Sequence, residues 1–430
     1  RPESMAAGMR YLLVQIVSGL LLLAGALYLY EQTGSLVFNH IGLDGPAGWL
    51  ILVAFGIKCG FPMFHGWITE AYPAATEAGA VFMAAITTKV AVYALARGFQ
   101  GEELLVYVGV TMTCFPIFYA VIENDLRRVL AYSMINQLGF MVCGIGVGTT
   151  LAVNGAIAHA FNDVIFKGLL FMSMGAVLLQ TGRINASELG GLYRTMPKTT
   201  VLCIVGAMSI SAFPLFSGFV SKAMIVTAVL EEHYEWVWLA LLFASAGVFH
   251  HAGIKIPYFA FFAHDSGLRP TEPPTNMLIA MTISAVLCIG IGVFPLVLYQ
   301  MLPFDMVYSP YDATHVLAQL QLLWFSALAF AWLNLRGWYP PEIRSVNLDV
   351  DWLFRKLVPG VVSVTMPHLG RIGEHLTFGI GQGLQRMGGF LARGLVVLVG
   401  QATSIRLMAM YLVIVLMLYL FLDGLMMLVG

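Results

Sequence analysis

Five lysines lie inside long apolar runs of this chain: Lys58, Lys89, Lys167, Lys222 and Lys255. An ionisable side chain at bilayer depth costs about 2.5 kcal/mol or more on insertion scales, and it persists where it faces a protein interior or a water-filled path. A lysine close to a helix end can snorkel to the interface, but several of these sit near the middle of their runs. Histidines accompany them. In AHAFNDVIFKGLLFM, His159, Asp163 and Lys167 stand at i, i+4 and i+8, which is one face of a helix. In VFHHAGIKIPYFAFF, His250 and His251 precede Lys255, with His251 and Lys255 four apart. Burial disfavours the charged form of a lysine, so a buried lysine can exchange protons near neutral pH. Histidine titrates there already. Such side chains alternating with water make a proton relay. Lys58, Lys89, His159, Asp163, Lys167, Lys222, His250, His251 and Lys255 are therefore the candidate proton pathway. For any one position the competing reading is a core residue with satisfied partners, and that reading weakens as such positions accumulate.

Two lysine-bearing runs are interrupted. Pro62 follows Lys58 by four residues, Pro214 precedes Lys222 by eight, and Gly60, Gly66 and Gly218 lie close by. Paired broken helices in the two halves of a transporter point to its ion site. The backbone groups that a break frees are tolerated where they meet protein or water.

The elements that must carry these residues are membrane helices. Of 430 residues, 59% are hydrophobic and 10% charged, against about 25% charged in ordinary soluble domains. A spanning helix needs about 20 mostly apolar residues. Such runs fall near 9–30, 47–66, 78–96, 104–122, 126–147, 151–180, 200–229, 236–262, 275–301, 317–336 and 407–429. The sequence thus predicts an all-α integral membrane protein of about eleven spans. Residues 151–180 and 200–229 exceed one bilayer thickness, which predicts tilt or protrusion. With the N-terminus inside, only Arg97 of the 22 Lys and Arg falls on an outer segment; the five lysines named above lie within spans and the rest lie on inner segments. That asymmetry follows the positive-inside rule.

Residues 368–393 set Arg371, Glu374, Arg386 and Arg393 among apolar residues and glycines. This pattern predicts an amphipathic helix lying along the membrane or a partner, ahead of a final anchor; a flexible cytoplasmic loop is the alternative. The chain opens Arg1-Pro2-Glu3-Ser4 without Met or a signal-peptide pattern, and the expectation is that it starts part-way through a longer protein.

Several function classes are disfavoured. Cys59, Cys114, Cys143, Cys203 and Cys288 are the five cysteines, and no two form C-x-x-C. That argues against a zinc site, an iron–sulfur cluster or a disulfide framework; buried inert thiols fit instead. No G-x-G-x-x-G or haem motif is present, and adjacent His250 and His251 point to different faces. No cofactor, metal or redox chemistry is expected in this chain. Its net charge of −1 gives no electrostatic case for nucleic acid.

At these residues a family resemblance becomes plain. AFGIKCGFPMFHGWITEAYPAA, ITTKVAVYALARGF, ENDLRRVLAYSMINQLGFMVCGIG, HAFNDVIFKGLLFM and FPLFSGFVSKAMI occur in order. Together they resemble the antiporter-like proton-translocating subunits shared by respiratory complex I and the Mrp-type multisubunit sodium/proton antiporters. LAYSMINQLGFMVCGIG and HHAGIKIPYFAFF resemble the Mrp D subunit most. The likeness is strong over about residues 8–262 and loose beyond.

The resemblance implies fourteen core helices and two inverted five-helix repeats, each with a broken helix. It implies that residues 1–96 are a partial first repeat (the sixth to eighth family helices) and 104–262 a complete second one. Further membrane helices would follow at 275–336, a lateral segment at 337–406 and an anchor at 407–430. Lys58 would be the pump lysine, Lys89 the central relay lysine, Lys167 and His159 relay groups, and Lys222 the terminal group.

Two departures stand out. The first five family helices are missing, and with them the membrane glutamate that pairs with the pump lysine, so another chain or segment would supply an acidic partner for Lys58. Relatives often carry a second histidine where this chain has Asp163, a carboxylate that should hold the charge of Lys167. The expected function is a proton-translocating, or sodium/proton-exchanging, subunit of a larger complex. It would be multi-pass in a prokaryotic inner membrane, with other membrane subunits, the bilayer and H⁺ or Na⁺ as partners. A non-conducting structural subunit is the alternative.

Overall fold

The computed structural model describes residues 2–35, 37–344, 347–350, 352–357, 360 and 363. The expected amphipathic segment at 368–393 and the anchor at 407–429 lie outside the described residues. Among those described, the secondary structure is helical apart from one isolated bridge between Asp125 and Asn185. Helices fit this composition because hydrocarbon offers no partner for a backbone N–H or C=O, so each segment must satisfy its own.

The helices run α1 (Pro2–Thr33), α2 (Pro46–Cys59), α3 (Gly66–Ala74), α4 (Glu77–Gly98), α5 (Glu103–Ile122), α6 (Leu126–Val147), α7 (Thr150–Thr181), α8 (Pro197–Ile210), α9 (Ser217–Glu231), α10 (Glu235–Phe262), α11 (Thr275–Val293), α12 (Pro295–Tyr299) and α13 (Ala313–Leu335). Eight of the helices among the described residues are long and apolar enough to cross a membrane. Two further apolar helices, Pro46–Cys59 and Pro197–Ile210, are shorter because each ends at a break. The over-long run 200–229 is thereby explained: it is α8 and α9 with a turn between them. The run 151–180 is one continuous helix of 32 residues. A separate compact unit begins at Trp352, and its described part contains the short π-helical turn Leu353–Leu357.

Local chemistry sets the ends. Pro46 and Pro197 open α2 and α8 in the first turn, where the missing N–H costs nothing. Asp125 caps α6 by accepting from the amides of Arg127 and Arg128, and Thr149 caps α7. Gly148 and Gly182 close α6 and α7 in the left-handed conformation.

Helix α6 is the axis of the bundle, buried along its whole membrane window. Gly109 of α5 and Gly139 of α6 let those two backbones touch: a Cβ on Gly109 would lie 2.4 Å from the Cys143 nitrogen. Small residues at such crossings are what allow close helix packing in a membrane. By contrast α1 and α13 are mostly open, with 11% of their membrane windows buried.

The two breaks share one local design. Phe61-Pro62-Met63-Phe64 follows α2 and Phe213-Pro214-Leu215-Phe216 follows α8. In each, the amide of the last Phe donates to the carbonyl of the first, at 2.8 Å and 3.1 Å. Met63 and Leu215 both have φ 73°. Proline at the second position and positive φ at the third define a type II turn, here without the glycine that usually takes the third place.

Candidate functional site

A buried polar layer crosses the middle of the bundle, built from α4, α6, α7 and α9. Lys89 of α4 forms an ion pair with Asp163 of α7 and also donates to the Ala84 carbonyl at 2.9 Å. Ala84 lies in the π-helical stretch Met83–Thr87 that interrupts α4 just before Lys89. Lys167 lies one turn along α7 from Asp163, fully buried, and donates to Ser133 Oγ of α6 at 2.8 Å. The charge of Asp163 is thus shared between its own helix and α4, with Lys89 taking the direct contact.

One turn the other way, His159 bridges two helices. Its Nε2 faces Gln137 Oε1 of α6 at 3.0 Å, and its Nδ1 faces Ser221 Oγ of α9 at 2.9 Å. Gln137 donates in turn to Asn136 Oδ1 at 2.7 Å. Asn162 donates to Ser217 O at 2.7 Å and Ser221 Oγ at 3.1 Å. Lys222, 2% exposed, donates to the Ile210 carbonyl at the end of α8 at 3.3 Å. Its ammonium also stands 4.8 Å from the centre of the Phe140 ring, a favourable cation–π placement. The backbone carbonyl freed at the second break thus finds a cation. Lys167 lies within Coulombic range of Asp163, Lys89 and Lys222.

The remaining candidates sit outside this layer. His251 is fully buried, with the backbone of Gly247 beside its ring and Lys167, His250 and Lys255 within Coulombic range. His250 turns the other way, between the rings of Phe330 and Tyr339, at 5.5 Å from each. Lys255 closes the end of α5, donating to Val121 O at 2.6 Å and Glu123 O at 2.7 Å, and it pairs with Glu342 at 2.9 Å. Burial raises the Glu342 carboxyl above its usual range, with Lys255 opposing. His250, His251 and Lys255 all lie in the π-helical stretch Phe249–Lys255 of α10. Lys58 stands apart at the end of α2, half-buried, donating to Gln15 Oε1 of α1 at 2.8 Å.

Sequence reasoning missed the neutral members of the layer. Ser133, Asn136 and Gln137 stand at i, i+3 and i+4 in an apolar span, and that stripe was the available signal. Ser221 and Asn162 carried none. Nor did Glu342, or the pairing of His65 with Asp349 at 3.1 Å, since both acids come from the chain after α13.

Residues 1–249 match the family described as NADH:quinone oxidoreductase/Mrp antiporter, transmembrane. The chain belongs to this family. Within it, the chain is 29% identical over 335 residues to the D subunit of the Na⁺/H⁺ antiporter of Alkalihalophilus pseudofirmus, covering 70% of this chain and 66% of that one. It is 32% identical over 328 residues to the N subunit of the NADH-quinone oxidoreductase of Desulforudis audaxviator, covering 69% of this chain and 65% of that one. The chain therefore spans slightly less than two thirds of the length of these relatives. Among solved structures, the Mrp complex from Dietzia sp. DQ12-45-1b contains a chain of the same fold, with TM-score 0.63 and 21% identity over 78% of this chain and 70% of that one.

Proposed function

We propose that the chain is a proton-translocating membrane subunit of a multisubunit complex, either an Mrp-type antiporter or a complex I-like oxidoreductase, in a prokaryotic inner membrane. The observation that carries this reading is the buried polar layer, in which Lys89–Asp163, Lys167–Ser133 and the His159 bridge follow one another from α4 to α9. A packed core gains nothing from three buried lysines and a histidine, because paired buried charges rarely stabilise more than apolar residues of the same size. A relay needs such groups. Protons suit it better than Na⁺, which wants a cluster of oxygen ligands; the central carboxylate, Asp163, is engaged by lysine instead.

In this reading Lys58 loads the path, Lys89, Asp163, Lys167 and His159 carry protons across its middle, and Lys222 ends it. His250, His251 and Lys255 form a branch along α10. Residues 1–96 act as the incomplete first half and 104–262 as the second, with 275–336, 337–406 and 407–430 as peripheral helices, lateral segment and anchor. Another chain or segment covers the open side of Lys58 and brings a carboxylate to it. A non-conducting structural role is the competing reading, and the neutral Gln15 against Lys58 favours it. The test is proton movement in inside-out vesicles carrying the assembled complex. Lys167→Ala is expected to abolish it; full activity in an assembled Lys167→Ala complex would leave only the structural role.

A further inference from the structure

After α13 the chain returns across the end of the bundle that carries Arg127 and Arg128. It touches the bundle at successive points: Glu342 on Lys255, Arg344 on Glu188, Asn347 donating to Glu123 Oε2 at 3.2 Å, and Asp349. The last contact goes deepest. Asp349 Oδ1 lies 3.1 Å from His65 Nε2, and Tyr132 of α6 donates its hydroxyl to Asp349 Oδ2 at 2.7 Å. The Asp349 side chain is only 8% exposed. His65 itself is buried, packed at 4.7 Å against the ring of Phe115, and it stands between the first break and α3.

A carboxylate can only accept hydrogen bonds, so His65 must carry its proton on Nε2. Its Nδ1 is buried without a hydrogen-bond partner. Burial alone would raise the Asp349 carboxyl, but His65, the Tyr132 hydroxyl and the Val350 amide outweigh it and hold the group below its usual range. An acid that fixes the tautomer and orientation of an imidazole is a general way to position a proton acceptor. We infer that Asp349 is a positioning residue: it holds His65 with its proton on Nε2 and leaves Nδ1 as a proton acceptor beside the first break. This rests on the translocation reading above and adds a residue to it from outside the helix bundle.

The test uses the assembled complex with Asp349→Asn, Asp349→Glu and Lys167→Ala, in membranes labelled with ¹⁵N-histidine. His65→Gln identifies the His65 signals. In Asp349→Asn the new amide can donate to Nε2, so the His65 nitrogen shifts should move to the Nδ1–H tautomer. Initial translocation rates should fall about tenfold or more, as for loss of a prepared acid–base group, and Asp349→Glu should restore both. An unchanged tautomer, or a tautomer change with full translocation, overturns the inference. So does failure of both Asp349 variants to assemble, which would make the contact a folding device. If Lys167→Ala also translocates at full rate, the proposed function itself has failed; if only Asp349→Asn does, the fault lies with this inference alone.

Discussion

The two broken helices use the same tetrapeptide pattern and the same turn, yet their lysines live in different surroundings. Lys222 lies eight residues after Pro214 and is enclosed, over the Phe140 ring and against the Ile210 carbonyl. Lys58 lies four residues before Pro62, half-buried, with the amide of Gln15 as its hydrogen-bond partner. Aligning the turns puts Ile210 at the place of Lys58, and Glu70, paired with Arg10 at 2.5 Å, at the place of Lys222. A short sequence can specify a break, but whether the lysine beside it is enclosed depends on how many helices surround it.

The largest effect should come from the enclosed half. Asp163→Asn leaves Lys89 without a counter-charge in a buried site, and breaking a buried pair costs about 3–5 kcal/mol. Thermal unfolding of the assembled complex should show that loss, together with abolished proton movement. Removing the whole cation is milder. Lys222→Met should abolish translocation at little cost in stability, because an apolar side chain of similar size replaces a buried charge. Lys58→Met should likewise leave stability within about 1 kcal/mol, the half-buried amine having little to lose, while translocation stops. Equal translocation in Lys58→Met and the unmodified protein would mean that the two lysines are not counterparts.

The turns offer a finer test. A β-branched residue at positive φ costs roughly 1–3 kcal/mol, so Met63→Ile and Leu215→Ile should each lower the melting point by a similar amount. Gly292 of α11 packs on the second turn only, where an added Cβ would meet the Leu215 carbonyl at 2.2 Å. Gly292→Ala should therefore cost about 1–3 kcal/mol and disturb Lys222 while sparing Lys58. The smallest change is expected at Arg10→Ala, which removes a partly exposed ion pair worth about 0–1 kcal/mol.

The sequence by itself determined much here. The apolar runs, the proline breaks, the caps at Asp125 and Thr149 and the placement of lysines inside helices are consequences of residues a few positions apart. So is the shared face of His159, Asp163 and Lys167, which helical geometry dictates. The partners of those groups were decided only by tertiary structure. Asp163 meets Lys89 from α4 across the bundle, in addition to the lysine one turn away, because packing brings that ammonium to the carboxylate. Ser133 and Ser221 become ligands of Lys167 and His159 through the close approach of α6, α7 and α9. His65 and Asp349 are 284 residues apart. No periodicity links them, and they meet because the chain after α13 crosses the end of the bundle, where a buried imidazole and a hydroxyl make a carboxylate favourable.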